Sequence, residues 1–295
     1  MRLPSSMASE ARMASPPIRG PAMKAPPSYL PLLAETAQHA RLPHRGDVGA
    51  AFDNVVLTRR TTRAFRPHPV GREIVTEILE VAARAPSTFN TQPWRVHVLC
   101  GRARQGLADE ILASHAANTE PPFTPFPSPP PPDCAARQAE FGRHYYASLS
   151  IDPQDTAARA RQTARNFAFF DAPVGLMFSI DARLTRHSWL DLGLFLQTLM
   201  LAAHARGLAT CPQVAFLRYE RLIARHLGFA AGEALACGMS LGYPDGDAGV
   251  NRVLMPRSPV AAFTSWHGFD EAPLVDTTVE TGASPQESAC SPDAD

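Results

Sequence analysis

Lysine is almost missing from this 295-residue chain: Lys24 is the only one, and arginine carries the basic side. A lysine Schiff base within the folded part is therefore excluded. Excess charge of either sign is also missing, since the formal net charge is zero, which argues against a nucleic-acid or membrane-surface partner. The five cysteines (Cys100, Cys134, Cys211, Cys237, Cys290) are scattered and show no C-x-x-C spacing. A disulfide framework and a zinc site are disfavoured, and a reducing compartment, the cytoplasm, is expected. The longest stretch without charge lies within residues 192–205, too short to span a bilayer, and it contains Gln197 and His204. The first residues lack the continuous apolar core of a secretory signal. There is no G-x-G-x-x-G after a strand, no G-x-x-x-x-G-K and no H-E-x-x-H, so the chemistry each motif serves is disfavoured. No acid–base dyad stands out. His187 and Asp191 sit four apart and read as an ion pair at a helix start. An enzyme built this way would lean on a bound cofactor for its chemistry.

What is present is a cluster of four arginines, Arg59, Arg60, Arg63 and Arg66, with no acidic residue between Thr58 and Glu73. The pair Thr61-Thr62 and the following Pro67 favour an extended segment, in which Arg59, Thr61 and Arg63 share one face. Two guanidiniums and a hydroxyl on one face suit phosphate oxygens. From the cluster alone, a solvated basic face stays open beside that reading.

In chain order, residues 1–47 are rich in Pro, Ser and Ala, and a disordered or loosely packed arm is expected. A short helix is predicted from Asp47 through Phe52 and Val56. A second begins at Glu73, with Ile74, Ile78, Val81 and Ala82 at helical spacing, and ends near Ala85 because Pro86 follows. Ser87, Thr88, Asn90, Thr91 and Gln92 form a turn with spare donors and acceptors. Residues 94–98 alternate as a strand, and a helix with Leu107 and Ile111 follows. Residues 121–133 are too rich in proline for regular structure. Helices are predicted at 137–146 and 156–169, with Phe141, Tyr145 and Tyr146 suggesting a lid. A buried strand is expected at 172–180. A helix apolar nearly all round follows at 189–206, with Ser188 as its cap, buried in a core or a subunit interface. A strand at 208–211, a helix at 218–227 and a strand at 234–243 complete the set, and residues after about 272 are expected to be disordered. The order implies an α+β fold, with a small sheet against a large helical layer.

Six separated stretches carry a resemblance: R-R-T-T-R-A-F (59–65), A-P-S-T-F-N-T-Q-P-W-R (85–95), R-N-F-A-F-F-D-A-P-V-G (165–175), S-W-L-D-L-G-L-F-L-Q (188–197), G-L-A-T-C-P-Q (207–213) and G-Y-P-D (242–245). Together and in this order they resemble the FMN-dependent nitroreductases over residues 51–269. The resemblance implies a small central mixed sheet packed with helices, in an intertwined homodimer with FMN at the subunit interface. It implies one FMN-binding domain over 48–270, with the Pro-rich excursion and lid at about 121–165, and a disordered tail over 271–295. By resemblance, Arg59 and Thr61, with Arg60 beside them, contact the FMN phosphate, and Arg63 lies toward the ribityl chain and pyrimidine edge. Pro86, Ser87 and Asn90 approach the ring from the other subunit in many relatives. Pro212, Gln213 and Val214 line it near N5, and Arg257, with Arg252, matches a late phosphate contact. The aromatic tail around Trp266 would wrap the partner.

The implied activity is ping-pong hydride transfer through N5, from NADH or NADPH to a nitroaromatic or quinone. Dehalogenation, flavin fragmentation, heterocycle oxidation on the same fold, or non-enzymatic flavin binding are the alternatives. Two departures stand out. Leu254 and Met255 lie in the stretch between Asn251 and Arg257 where close relatives often carry further arginines, and Ala168 lies where some carry a basic residue, with whether Arg165 takes its place left open.

Overall fold

The computed structural model describes residues 45–269. The expected N-terminal arm up to residue 44 and the C-terminal tail lie outside the described residues. The chain divides into two units, Met1–Arg59 and Arg60–Asp295. In the first, helix α1 (Arg45–Thr58) carries Val48, Phe52 and Val56 four residues apart, and the Arg59 N–H donates to the Val55 carbonyl, extending its last turn.

The second unit is built on four strands: β1 (Arg95–Cys100), β2 (Val174–Asp181), β3 (Ala209–Gln213) and β4 (Glu233–Gly242), in the order β1-β2-β4-β3. Every neighbouring pair is antiparallel. The parallel component expected of a mixed sheet is, among the described residues, one isolated bridge between Thr61 and Thr210. Pro212 can sit in β3 because β3 is the last strand of the sheet, where a missing N–H breaks no ladder bond on the outer side.

Helices cover both faces of the sheet, not one. On one face, Val174, Leu176, Phe178 and Ile180 of β2 pack with α2 (Arg72–Ala82) and α6 (Arg186–Ala205). On the other, Met177 joins α3 (Gly101–Ala116), α7 (Glu220–Leu227) and the phenylalanines 167, 169, 170 and 216. This explains why β2 is apolar without alternation: it is buried on both sides. A Cβ on Gly175 would come within 2.5 Å of the Phe169 ring, so glycine there makes room for that ring. In α2 the buried stripe is Val75, Ile78 and Ala82, while Val81 is exposed.

Of the boundaries that differ from expectation, three bear on the packing around the sheet. Helix α6 begins at Arg186 after Thr185, which leaves Ser188 inside its first turn instead of capping it. The helix predicted over 156–169 stops early: α5 spans Thr156–Ala164, and Phe169, Phe170 and Asp171 take φ of 55°, 50° and 65°. No sequence propensity favours three such residues in a row. Tertiary bonds to the carbonyls of this turn, described below, hold it. Helix α4 (Pro132–Ser148) begins right after the Pro-rich stretch, with Pro132 in its first turn, where a missing N–H costs nothing.

Candidate active site

Residues 61–66 run extended across the ends of β3 and β4. Thr61 bridges Thr210, and the Thr62 N–H donates to the Thr210 carbonyl at 3.0 Å. The Arg66 N–H donates to the Tyr243 carbonyl at 2.9 Å, and the Asp245 N–H donates to the Ala64 carbonyl at 3.0 Å. Thr62 is buried while Thr61 and Arg63 are half-buried, the alternation expected of an extended strand. Asn251 locks the segment. Its Oδ1 accepts from the Arg63 N–H at 2.8 Å, and its Nδ2 donates to the carbonyls of Ala64 and Asp245 at 2.8 and 2.9 Å. Sequence reasoning did not single out Asn251. The available signal was one amide side chain, able to donate and accept, in a loop rich in Gly and Asp.

The Arg63 guanidinium lies 5.3 Å from the Phe141 ring centroid and 5.0 Å from that of Tyr145. It makes no ion pair and no side-chain hydrogen bond among the described residues. Its charge reaches the neighbouring β3: burial pushes the Cys211 thiol up to about 11, with Arg63 pulling the other way. Burial likewise raises Tyr145, opposed by the hydrogen bond from Gln162 and by Arg63. Residues 61 and 63 thus stand beside the strand that ends at Pro212 and Gln213. Pro212 is exposed and Val214 half-exposed, while the Gln213 side chain turns inward. Its Nε2 donates to the Asn166 carbonyl at 2.7 Å. Ser240 Oγ lies 2.7 Å from Gln213 Oε1 and 2.8 Å from the Phe169 carbonyl, and donates to one at a time. These bonds pin the left-handed turn Phe169–Asp171 to the end of β3.

The turn at residues 86–92 is held from elsewhere. Asp191 of α6, 3% exposed, accepts from the Thr88 N–H at 3.1 Å and from Thr88 Oγ1 at 3.3 Å. The expected His187–Asp191 ion pair is therefore absent among the described residues: the carboxylate is spent on the turn. Ser87 Oγ accepts from the Gln92 N–H at 3.0 Å. Phe89, Asn90 and Gln92 have φ of 50°, 56° and 46°, and Phe89 is 97% exposed. Pro86 and Asn90 are exposed as well. Among the described residues, the hydrogen bonds of this turn run within it and to α6, and none reaches the segment around Arg63.

The remaining arginines differ. Arg165 pairs with Asp171 at 3.0 Å, so its charge is already matched. Arg252 donates to the Gly246 carbonyl and lies 3.6 Å from Asp247. Arg257 donates to the carbonyls of Met255 and Pro256 and has no carboxylate partner among the described residues. Arg60 is exposed. Arg59 closes the N-terminal unit. Thr61 and Arg63, with no carboxylate matched to Arg63 among the described residues, carry donors of the kind a phosphate-bearing ligand takes; no contact joins Arg257 to them among the described residues. Among the described residues no group of His, Cys, Asp and Glu could hold a metal ion.

An antiparallel sheet is clad in helices on both faces, and beside its edge strand β3 lies Arg63, unmatched by a carboxylate among the described residues, an arrangement that offers a cation to an anionic ligand. Comparison makes this specific. Residues 56–243 match the model of the nitroreductase family, and the chain belongs to that family. It is 47% identical to a 4-nitrobenzoate reductase of Pseudomonas putida over 219 residues, 74% of this chain and 96% of the relative. It is 37% identical to a chloronitrobenzene nitroreductase of Comamonas testosteroni over 218 residues, 73% of this chain and 96% of the relative. Among solved structures, the FMN-dependent nitroreductase NfnB from Mycobacterium smegmatis, in complex with NADPH, superposes with a TM-score of 0.71 at 33% identity, covering 75% of this chain and 99% of that one.

Proposed function

We propose that this protein is an FMN-dependent NAD(P)H oxidoreductase that reduces nitroaromatic or quinone-like acceptors. The observation that carries the reading is Arg63: a half-buried cation beside β3, held in place, with no anion to neutralise it among the described residues. Relatives named as nitroarene reductases over nearly their whole length support the choice of acceptor. FMN, when bound, takes two electrons from NADH or NADPH and passes them to the acceptor. The chain's own part is to bind and orient. Arg59, Arg60 and Thr61 would hold the phosphate, with Arg257 and Arg252 as late contacts; for Arg59 this rests on the sequence pattern. Arg63 would face the pyrimidine edge, where a fixed positive charge favours the electron-rich form of the ring. The backbone at Pro212, Gln213 and Val214 would line the ring near N5, kept in place by the buried amide of Gln213. Pro86, Ser87 and Asn90 would close the site from a second copy of the chain.

A homodimer is part of this proposal. Trp189, Leu190 and Leu194 on α6 are 43%, 65% and 40% exposed, an apolar stripe that a single chain leaves in water. The aromatic arm with Phe263, Trp266 and Phe269 is similarly exposed. Among the described residues no helix is long and apolar enough to cross a membrane, and Cys100, Cys134, Cys211 and Cys237 are free thiols, which supports a cytoplasmic site of action.

The test is an absorption spectrum of the purified protein, before and after each nicotinamide and then 4-nitrobenzoate. A yellow protein that bleaches with NADH or NADPH and recolours with the nitroarene is expected. A colourless protein that cannot be loaded with FMN refutes the proposal.

A further inference from the structure

Arg63 is held in an unusual way for a half-buried cation. A carboxylate partner would neutralise the guanidinium and occupy its N–H donors. Two aromatic faces do neither: they attract the charge through the ring quadrupole and leave the donors uncommitted. Phe141 and Tyr145 lie four apart on α4, so they share one face of that helix, and their rings stack at 5.4 Å with 12° between planes. The platform is built from both sides. Tyr145 is buried, and its hydroxyl accepts from the buried Gln162 Nε2 of α5 at 2.8 Å. The backbone of Arg63 is fixed by Asn251.

We infer that Phe141 and Tyr145 are positioning residues that hold Arg63, with its N–H donors uncommitted, at the flavin's pyrimidine edge, and so set how strongly the site prefers reduced over oxidised FMN. This deepens the proposed function and rests on it. It gives the helix after the Pro-rich segment a part in tuning the cofactor as well as covering the site.

The experiment measures the affinity of oxidised and reduced FMN by anaerobic fluorescence titration, and the midpoint potential by dye equilibration, in the full chain. Phe141→Leu, Tyr145→Leu and Tyr145→Phe are compared with wild type, and circular dichroism checks the fold. Each leucine variant should lose three- to tenfold of the preference for reduced FMN, tenfold corresponding to ~30 mV for a two-electron couple. Tyr145→Phe keeps the π face and should stay within about twofold of wild type. The inference is overturned if folded, FMN-bound Phe141→Leu and Tyr145→Leu keep the wild-type ratio. It is also overturned if Tyr145→Phe shifts as far as Tyr145→Leu, because the hydroxyl and not the ring would then be responsible. A wild-type chain that binds no FMN removes the proposed function itself, a result distinct from either.

Discussion

Replacing Asp191 by alanine should release the turn that presents Ser87 and Asn90. The Asp191 carboxylate is 3% exposed and accepts two hydrogen bonds from Thr88, one from the backbone N–H at 3.1 Å and one from the hydroxyl at 3.3 Å. Hydrogen bonds to a charged acceptor contribute roughly 1.5–3 kcal/mol, and the second, longer contact adds little. The turn also contains three non-glycine residues with positive φ, which cost free energy unless the surroundings hold them. Asp191→Ala should therefore destabilise the protein by about 1.5–3 kcal/mol, a fall in Tm of ~3–12 °C for a unit of this size. Asp191→Asn keeps one acceptor oxygen and should lose about 1 kcal/mol. Urea denaturation read by tryptophan fluorescence gives the midpoint, and FMN titration gives the accompanying loss of affinity. An alanine variant with wild-type midpoint and wild-type FMN affinity would show that the turn holds itself, and the assignment of Asp191 as its anchor would be wrong.

Other outcomes follow from the same geometry. Arg59→Ala should weaken FMN binding by about 1.5–3 kcal/mol, the worth of a charge-assisted contact; unchanged flavin affinity would remove the phosphate assignment. Glu233 meets Arg95 at 3.2 Å, His97 at 3.3 Å, the Ser179 hydroxyl and the Ala230 N–H. Burial pushes its carboxyl up, but those four partners bring it below its ordinary value of 4.5. A carboxyl with a lowered folded value stabilises fully above 4.5 and loses that contribution as pH falls through the lower value. Acid denaturation of Glu233→Gln should therefore be shallower than wild type, and identical acid limbs would count against this network. Leu194→Arg places a charge in the exposed stripe of α6 and, on the proposed homodimer, should leave a monomer in sedimentation velocity where the wild type sediments as a dimer. A variant that remains dimeric would move the interface elsewhere.

Much of this protein was readable from local pattern. Glu73 onward alternates at helical spacing, residues 94–98 at strand spacing, and the run at 172–180 is apolar throughout, so α2, β1 and β2 follow from periodicity and length. The extended run of Thr61, Thr62 and Arg63 followed from two β-branched residues and a proline. The pairings of polar side chains were not readable, because they join residues far apart in the chain. Asp191 looked like a partner for His187 four residues away and instead holds Thr88 across 103 positions. Helix α5 had the residues to continue to Phe169, but bonds from Gln213 and Ser240 to the carbonyls of Asn166 and Phe169 hold a left-handed turn there. The same limit applies to Arg63. Its charge and its place in the chain are properties of the sequence, whereas the two rings that hold it come from α4, some eighty residues later, and meet it only once the chain has closed. Local preference is set by neighbours within a helical turn or a strand pair. The partners of a buried charge are set by which surfaces the whole fold presses together.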